Sequence, residues 1–131
     1  MAGLDWAQYN LGHLYLNGLG VVRDAAQAFY WYRSAADQGH ARALNLVARC
    51  HEHGWGVARD MGLAAQGYEA SARAGYFRGQ YNHASLLASC GRYDEARTWF
   101  DRALAGAPPA SRAQMAAGRD QALATGDATC S

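Results

Sequence analysis

Cys50-His51-Glu52-His53 sets three kinds of metal-ligating residue side by side. A structural metal site needs such ligands to converge on one point. On a helix these consecutive side chains fan out around the axis, and residues two apart do not share a face. The packing assignment is therefore preferred: Cys50 in the core, His51 where the preceding unit has Tyr15, and His53 at a helix end beside Gly54. His13, His40 and His83 gain no partner from local spacing. Ser85 and Cys90 lack a nucleophile elbow or activating motif, and the Gly-rich stretches lack the Lys of a phosphate-binding loop. No catalysis, metal or cofactor is expected.

Arg42, Asn45 and Arg49 are spaced i, i+3, i+7 and so share one helix face, with Arg78 lying 36 residues beyond Arg42. Guanidinium groups arranged in this way hold a carboxylate or an acidic segment by forked, charge-assisted hydrogen bonds. Trp6, Tyr9 and Tyr81 are available beside them as apolar anchors. This is chemistry of recognition rather than of turnover.

Positioning these groups falls to an internal repeat. Gly18-Leu19-Gly20-Val21-Val22-Arg23-Asp24 returns 36 residues later as Gly54-Trp55-Gly56-Val57-Ala58-Arg59-Asp60, and Gly3, Gly39 and Gly75 keep the same offset. Ala7 with Ala43, Ala28 with Ala64, Tyr32 with Tyr68 and Ala36 with Ala72 follow it too. A third copy starts in register at Gln80-Tyr81-Asn82, then loses four residues at the Gly-x-Gly loop before Ala96, Trp99, Phe100 and Ala103 match Ala28, Trp31, Tyr32 and Ala35. Self-similarity at this period marks stacked supersecondary units.

Each unit reads as a helical hairpin. In the first, Ala7, Leu11, Leu14 and Tyr15 recur at helical spacing, Gly18 stops the helix, Val21 anchors the loop, and Asp24 with Gln27 forms a capping-box pattern that starts the next helix. The second runs through Ala43, Leu46, Val47 and Cys50 to Gly54, then from Asp60 to Gly75. The third runs from Gln80 to Ser89 and from Asp94 to Leu104. Ser111 with Gln114 gives another capping box, and Met115 to Thr125 reads as a seventh helix. The expected fold is all-α: a right-handed α-α superhelix, a solenoid of about three hairpins with a C-terminal capping helix. A single domain 1–131 is expected, with repeats over 3–38, 39–74 and 75–107 and the cap over 111–125.

Composition agrees. A chain of 131 residues can bury roughly two thirds of its unfolded surface. Ala is abundant and β-branched residues are scarce, which favours closely packed helices. The 12 basic residues are all Arg, a usage read as the drift of a GC-rich genome, and the net charge of +1 gives no whole-molecule reason to bind nucleic acid or membrane. No basic and apolar leader opens the sequence, and no run approaches the roughly 20 apolar residues of a membrane span. A cytoplasmic location is expected. Cys50, Cys90 and Cys130 are odd in number and fall at non-equivalent repeat positions, which argues against a disulfide framework.

Leu11-Gly12, Tyr15, the loop Gly18 to Asp24, and Trp31-Tyr32-Arg33-Ser34-Ala35-Ala36 together resemble the Sel-one-like repeat family of the tetratricopeptide-repeat superfamily. The second unit keeps the loop but has Val47-Ala48, His51 and Gly67 at the family's Leu-Gly, Tyr and Trp places. The third, with its short turn and Tyr93-Asp94-Glu95-Ala96, is similar to the plain tetratricopeptide form. The resemblance spans roughly residues 3 to 107. It implies an adaptor that assembles protein complexes, in bacteria often in signalling, envelope or secretion pathways.

In such stacks the first helices line the concave surface. The side chains expected there are Trp6, Tyr9, His13 and Asn17 in the first unit, Arg42, Asn45, Arg49 and His53 in the second, and Arg78, Tyr81 and Ser85 in the third. The expected partner is another protein, held through an acidic or C-terminal peptide on this face. Two alternatives remain in view: a clamp using the chain's end or a convex face with exposed Trp31 and Trp99, and RNA binding through Arg beside aromatics. Gly3 stands where a preceding hairpin would end, so either the array is cut from something longer or the Leu4 to Tyr15 edge has a partner, by self-association or docking.

Overall fold

The computed structural model describes residues 3–124. Seven helices among these residues pack as consecutive hairpins: α1 (Leu4–Asn17) with α2 (Ala25–Ala36), α3 (Ala41–His53) with α4 (Met61–Arg73), and α5 (Phe77–Ser89) with α6 (Tyr93–Gly106), followed by α7 (Pro109–Ala124). Each hairpin also packs against the next, and α7 lies on both α5 and α6. No helix among the described residues is long and apolar enough to cross a membrane.

The repeated loop has one mechanical design in both copies. Gly18 and Gly54 adopt left-handed φ angles of 68° and 74°, and their N–H groups donate to the Leu14 and Cys50 carbonyls. That conformation costs a residue with a Cβ, so glycine stops the helix cleanly. The chain then returns to its own hairpin: the Asp24 N–H donates to the Tyr15 carbonyl at 2.9 Å and the Asp60 N–H to the His51 carbonyl at 2.8 Å. The Asp24 carboxylate accepts from the Gln27 N–H at 3.2 Å and Asp60 from the Leu63 N–H at 3.0 Å, capping α2 and α4.

Other starts differ from expectation. α3 is capped by an imidazole, with His40 Nδ1 accepting from the Ala43 N–H at 3.1 Å, so His40 does have a local partner. α6 begins at Tyr93 after the short turn, which leaves Asp94 and Glu95 inside its first turn, where carboxylates favour the helix dipole. α7 begins at Pro109, two residues before the expected cap. Proline's preset φ suits the first helical position, so Ser111 lies within the first turn instead of capping it. Thr125, the expected end of this helix, lies outside the described residues.

Small residues bring the helices together and aromatic rings fill the gaps. Ala28, Ala35, Ala43, Ala64 and Ala96 are wholly buried, as are Tyr32 and Phe100, with Tyr68 nearly so. At Gly67 a Cβ would lie 2.8 Å from the Ala48 Cβ. The second unit therefore exchanges the Gly12 of the first for alanine and recovers the space on the facing helix.

α1 departs from its predicted stripe. Tyr9 and Gly12 are buried, whereas Ala7 and Leu14 are exposed and Leu11 is half-buried. Their equivalents Ala43 and Cys50 are fully buried, because α2 covers them. Among the described residues nothing covers α1 in the same way. Val21 shows the same effect: it is exposed, while Val57 packs on the core. The cysteines also correct an expectation, since Cys50 is a buried free thiol but Cys90 is disulfide-bonded. Their number and repeat position do not report which side chains meet in space.

Candidate recognition cavity on the inner helices

The eleven predicted recognition residues do not form one continuous groove. Tyr9 is buried in the core instead of facing outward, and Asn45 is buried at the floor of a cavity. Tyr9 belongs to the first core cluster with Tyr32, Leu46 and Cys50. His13 is half-buried, and its Nδ1 is hydrogen-bonded to the Tyr32 hydroxyl at 2.8 Å. Burial holds the His13 imidazole below its ordinary value and pushes the Tyr32 phenol well above its own. These groups lock α1 to α2. Their aromatic surface went inward because rings at the hairpin seam exclude more water than rings on its rim.

Trp6 and Arg42 meet in a recess at the edge opposite the long loops. Trp6 stands edge-on to His40 with ring centroids 4.4 Å apart, and the Arg42 guanidinium lies between the Trp6 and Tyr76 rings, 5.6 and 5.3 Å from their centroids. Arg42 is thus part of an aromatic and cation ladder between successive hairpins and lies apart from Arg49. Asn17 sits at the other edge, where its Nδ2 donates to the His13 carbonyl at 3.0 Å. Ser85 bonds back to the Tyr81 carbonyl at 3.0 Å and does not line the inner cavity.

Five predicted residues do converge. Asn45, Arg49, His53, Arg78 and Tyr81 line a cavity of about 480 Å³ bounded by α3, α5 and the start of α7. Glu52, Tyr68, Asn82, Ser111, Gln114 and Met115 complete its wall. Asn82 Nδ2 donates to the buried Asn45 Oδ1 at 2.9 Å and fixes α5 to α3 at the cavity floor. The Tyr68 hydroxyl donates to the Glu52 carboxylate, and burial together with this bond pushes the phenol well above its ordinary value. Tyr81 packs edge-on to Phe100, with centroids 5.5 Å apart, and also against Met115. Gly118 allows α7 this close approach, since a Cβ there would lie 1.9 Å from the Tyr81 hydroxyl.

Arg49 reaches over Trp55, its guanidinium 5.3 Å from the ring centroid, while His53 stacks on the same indole at 4.7 Å. Arg78 lies 5.0 Å from the Phe77 ring centroid. Both arginines are exposed, and among the described residues neither is paired with a carboxylate. The cavity therefore presents two guanidinium groups against one carboxylate, and that carboxylate is already engaged by Tyr68. Such a lining can accept an anion beside the apolar surface of Tyr81 and Met115.

The wall residues missed in the sequence left faint signals. Asn82 repeats Asn10, and Glu52 sits in the run considered for metal binding. Ser111 and Gln114 looked like caps, and only the earlier start of α7 turns them into cavity residues. Cys50 to His53 disperse as a helix requires: Cys50 enters the core, His51 packs on Phe29, Glu52 meets Tyr68, and His53 meets Trp55. Trp31 and Trp99 are half-buried rather than exposed, correcting the expectation for a convex face. The Trp31 indole nitrogen is buried, and Trp99 is covered by Arg102 at 4.6 Å from its ring centroid.

The Sel1 repeat family model matches residues 7–40 and 41–76, two consecutive units that together span more than half of the chain. The chain belongs to the Sel1 repeat family. Its fold is similar to the crystal structure of a Sel1 repeat protein from Oxalobacter formigenes, with a TM-score of 0.76 and 30% identity, covering 94% of this chain and 51% of that one. Among curated proteins it is 35% identical over 72 residues to protein sel-1 homolog 2 of Mus musculus, covering 54% of this chain and 10% of the mouse protein. It is 38% identical over 66 residues to the chitin synthase regulator SKT5 of Saccharomyces cerevisiae, covering 50% of this chain and 8% of the yeast protein. The matched segment spans about a tenth of the length of these two curated relatives and the chain about half of the Oxalobacter formigenes structure. Sel1 repeats form a non-catalytic repeat fold that generally serves as a protein-interaction scaffold.

Proposed function

We propose that this Sel1 module is an adaptor that holds an acidic or C-terminal peptide of a partner protein in the cavity between α3, α5 and α7. The single observation carrying this reading is the pair of exposed, carboxylate-free arginines, Arg49 and Arg78, on a cavity wall beside Tyr81 and Met115. A peptide carboxylate accepts forked hydrogen bonds from the guanidinium groups, and an adjacent apolar side chain rests on the tyrosine and methionine. The Asn45–Asn82 bond and the Tyr68–Glu52 bond hold the walls in place before binding, which lowers the ordering cost of association.

A displayed library of acidic peptides, followed by calorimetric titration of the best binder, tests this reading. The double variant Arg49→Ala, Arg78→Ala is expected to weaken binding at least about tenfold, equivalent to roughly 1.4 kcal/mol. Arg42→Ala, in the separate recess, should leave it unchanged. Equal affinity of the double variant and the parent would reject the cavity as the binding site.

A further inference from the structure

The start of α3 carries a donor that the fold leaves unused. His40 is 6% exposed and caps α3 through Nδ1, which accepts from the Ala43 N–H at 3.1 Å. Burial, opposed by the Asp5 charge and helped by that of Arg42, holds its imidazole below the ordinary value, so the ring is neutral at neutral pH. A neutral ring that accepts at Nδ1 carries its proton on Nε2. That Nε2–H is buried and has no hydrogen-bond partner among the described residues. Buried donors are nearly always paired, and an orphan of this kind asks for the group it would meet.

The orphan stands at the recess opposite the long loops, a hollow of about 360 Å³ walled by α1, the start of α3 and the turn at residues 74–76. Nδ1 faces the α3 backbone, so Nε2, across the ring, faces away from it and into the recess that His40 lines. The Trp6 ring lies edge-on to the imidazole at 4.4 Å, and an incoming group reaches Nε2 as that side chain turns aside. Two more donors lie beside it. The Ala43 N–H is taken by the imidazole and the Leu44 N–H by the His40 carbonyl, which leaves the Ala41 and Arg42 N–H groups at the positive end of the helix. Both residues line the recess. The Arg42 guanidinium is held between the Trp6 and Tyr76 rings, and among the described residues it is in no ion pair. A Cβ at Gly39 or Gly75, which also line the recess, would meet nothing within 4 Å, so the entrance is clear.

We propose that this recess binds a single carboxylate, whose oxygens accept from His40 Nε2–H, the free α3 N–H groups and the Arg42 guanidinium. An oxyanion there meets backbone donors and the positive end of the helix dipole together. Charge selects among anions. Arg42 brings one positive charge and Asp5, in the same lining, one negative, so a monoanion is accepted where a phosphate dianion is repelled. The two rings hold the guanidinium in position before the ligand arrives, which lowers the ordering cost. This site shares no lining residue with the inner cavity, so each stands or falls without the other.

Titration of the isotope-labelled protein with sodium acetate at constant ionic strength, followed by amide NMR, is expected to move the Ala41 and Arg42 signals along a saturating curve in about the millimolar range. Arg42→Ala should weaken binding at least about tenfold. His40→Asn keeps a side-chain acceptor for the Ala43 N–H but loses the imidazole donor, and should weaken it at least about threefold. Arg102→Ala removes the same charge from α6 and should change nothing, with circular dichroism confirming the fold of each variant. In the parent protein the Trp6 indole N–H signal should follow the same curve, a readout that needs no variant. Tighter binding of N-acetylglutamic acid α-amide than of acetate would assign the site to an acidic side chain of a protein, and tighter binding of succinate to a small-molecule acid; either upholds it. Shifts that rise linearly, shifts matched by chloride, stronger binding of inorganic phosphate, or curves unchanged in Arg42→Ala and His40→Asn would each overturn the proposal.

Discussion

Asp24 and Asp60 do the same work with one carboxylate each. They end a loop, return it to the preceding helix through the backbone, and satisfy an orphan N–H of the next. Asp24→Ala is expected to lower stability by about 1 kcal/mol, the usual worth of such a cap. Denaturant melts check this, and a loss below about 0.3 kcal/mol would contradict the role. These residues were legible because a cap is local chemistry: donor and acceptor lie three positions apart. Asn45 was not. Its place on an i, i+3, i+7 face with two arginines suggested exposure, but its hydrogen-bonding partner Asn82 lies 37 positions away on another helix. Tyr9 misled for a related reason, since an aromatic ring serves a seam and a rim equally well until the neighbouring helix is in place.

At the scale of elements, Gly20 and Gly56 separate the cost of a backbone conformation from the cost of stacking. Their φ angles are 76° and 71°, so an alanine at either pays roughly 1–2 kcal/mol for the left-handed region. Only at Gly56 does the new Cβ also strike the Ala25 carbonyl. Gly56→Ala should therefore cost at least about 1 kcal/mol more than Gly20→Ala, the scale of an overpacking penalty. Equal losses in parallel urea melts would show that loop 54–60 does not press on α2. Element positions followed from periodicity and glycine spacing, whereas the start of α7 did not. A Ser with a Gln three residues on reads as a cap, but Pro109 already holds a helical φ and begins the helix earlier.

For the molecule as a whole, three imidazoles act in one direction. Burial holds His13, His40 and His83 below the ordinary value of 6.5. The unfolded chain takes up these protons near that pH while the folded chain resists them, so the unfolded state binds more protons as acid is added. The stability they contribute is complete above pH 6.5 and is lost as pH falls through it towards the lower folded values. Protonating His40 at Nδ1 would also remove the acceptor that caps α3. Thermal melts between about pH 7.5 and pH 5 should show a falling midpoint, with a smaller fall in His40→Asn. A midpoint flat across that range would exclude the histidines as the acid-sensitive groups.

The repeat period, the helix stops and starts within each long loop, and the Sel1 character of the chain were all determined by the sequence, because each rests on residues a few positions apart or on a pattern that recurs. Tertiary structure decided where the candidate recognition residues lie. It drew Tyr9 and Asn45 into the interior, sent Arg42 to an aromatic recess, and brought Arg49 and Arg78 to one cavity closed by α7. The same residue types occur at equivalent positions in other units, yet their surroundings differ because each helix meets different neighbours. Periodicity specifies how a unit folds; which of its faces is covered depends on the units stacked beside it.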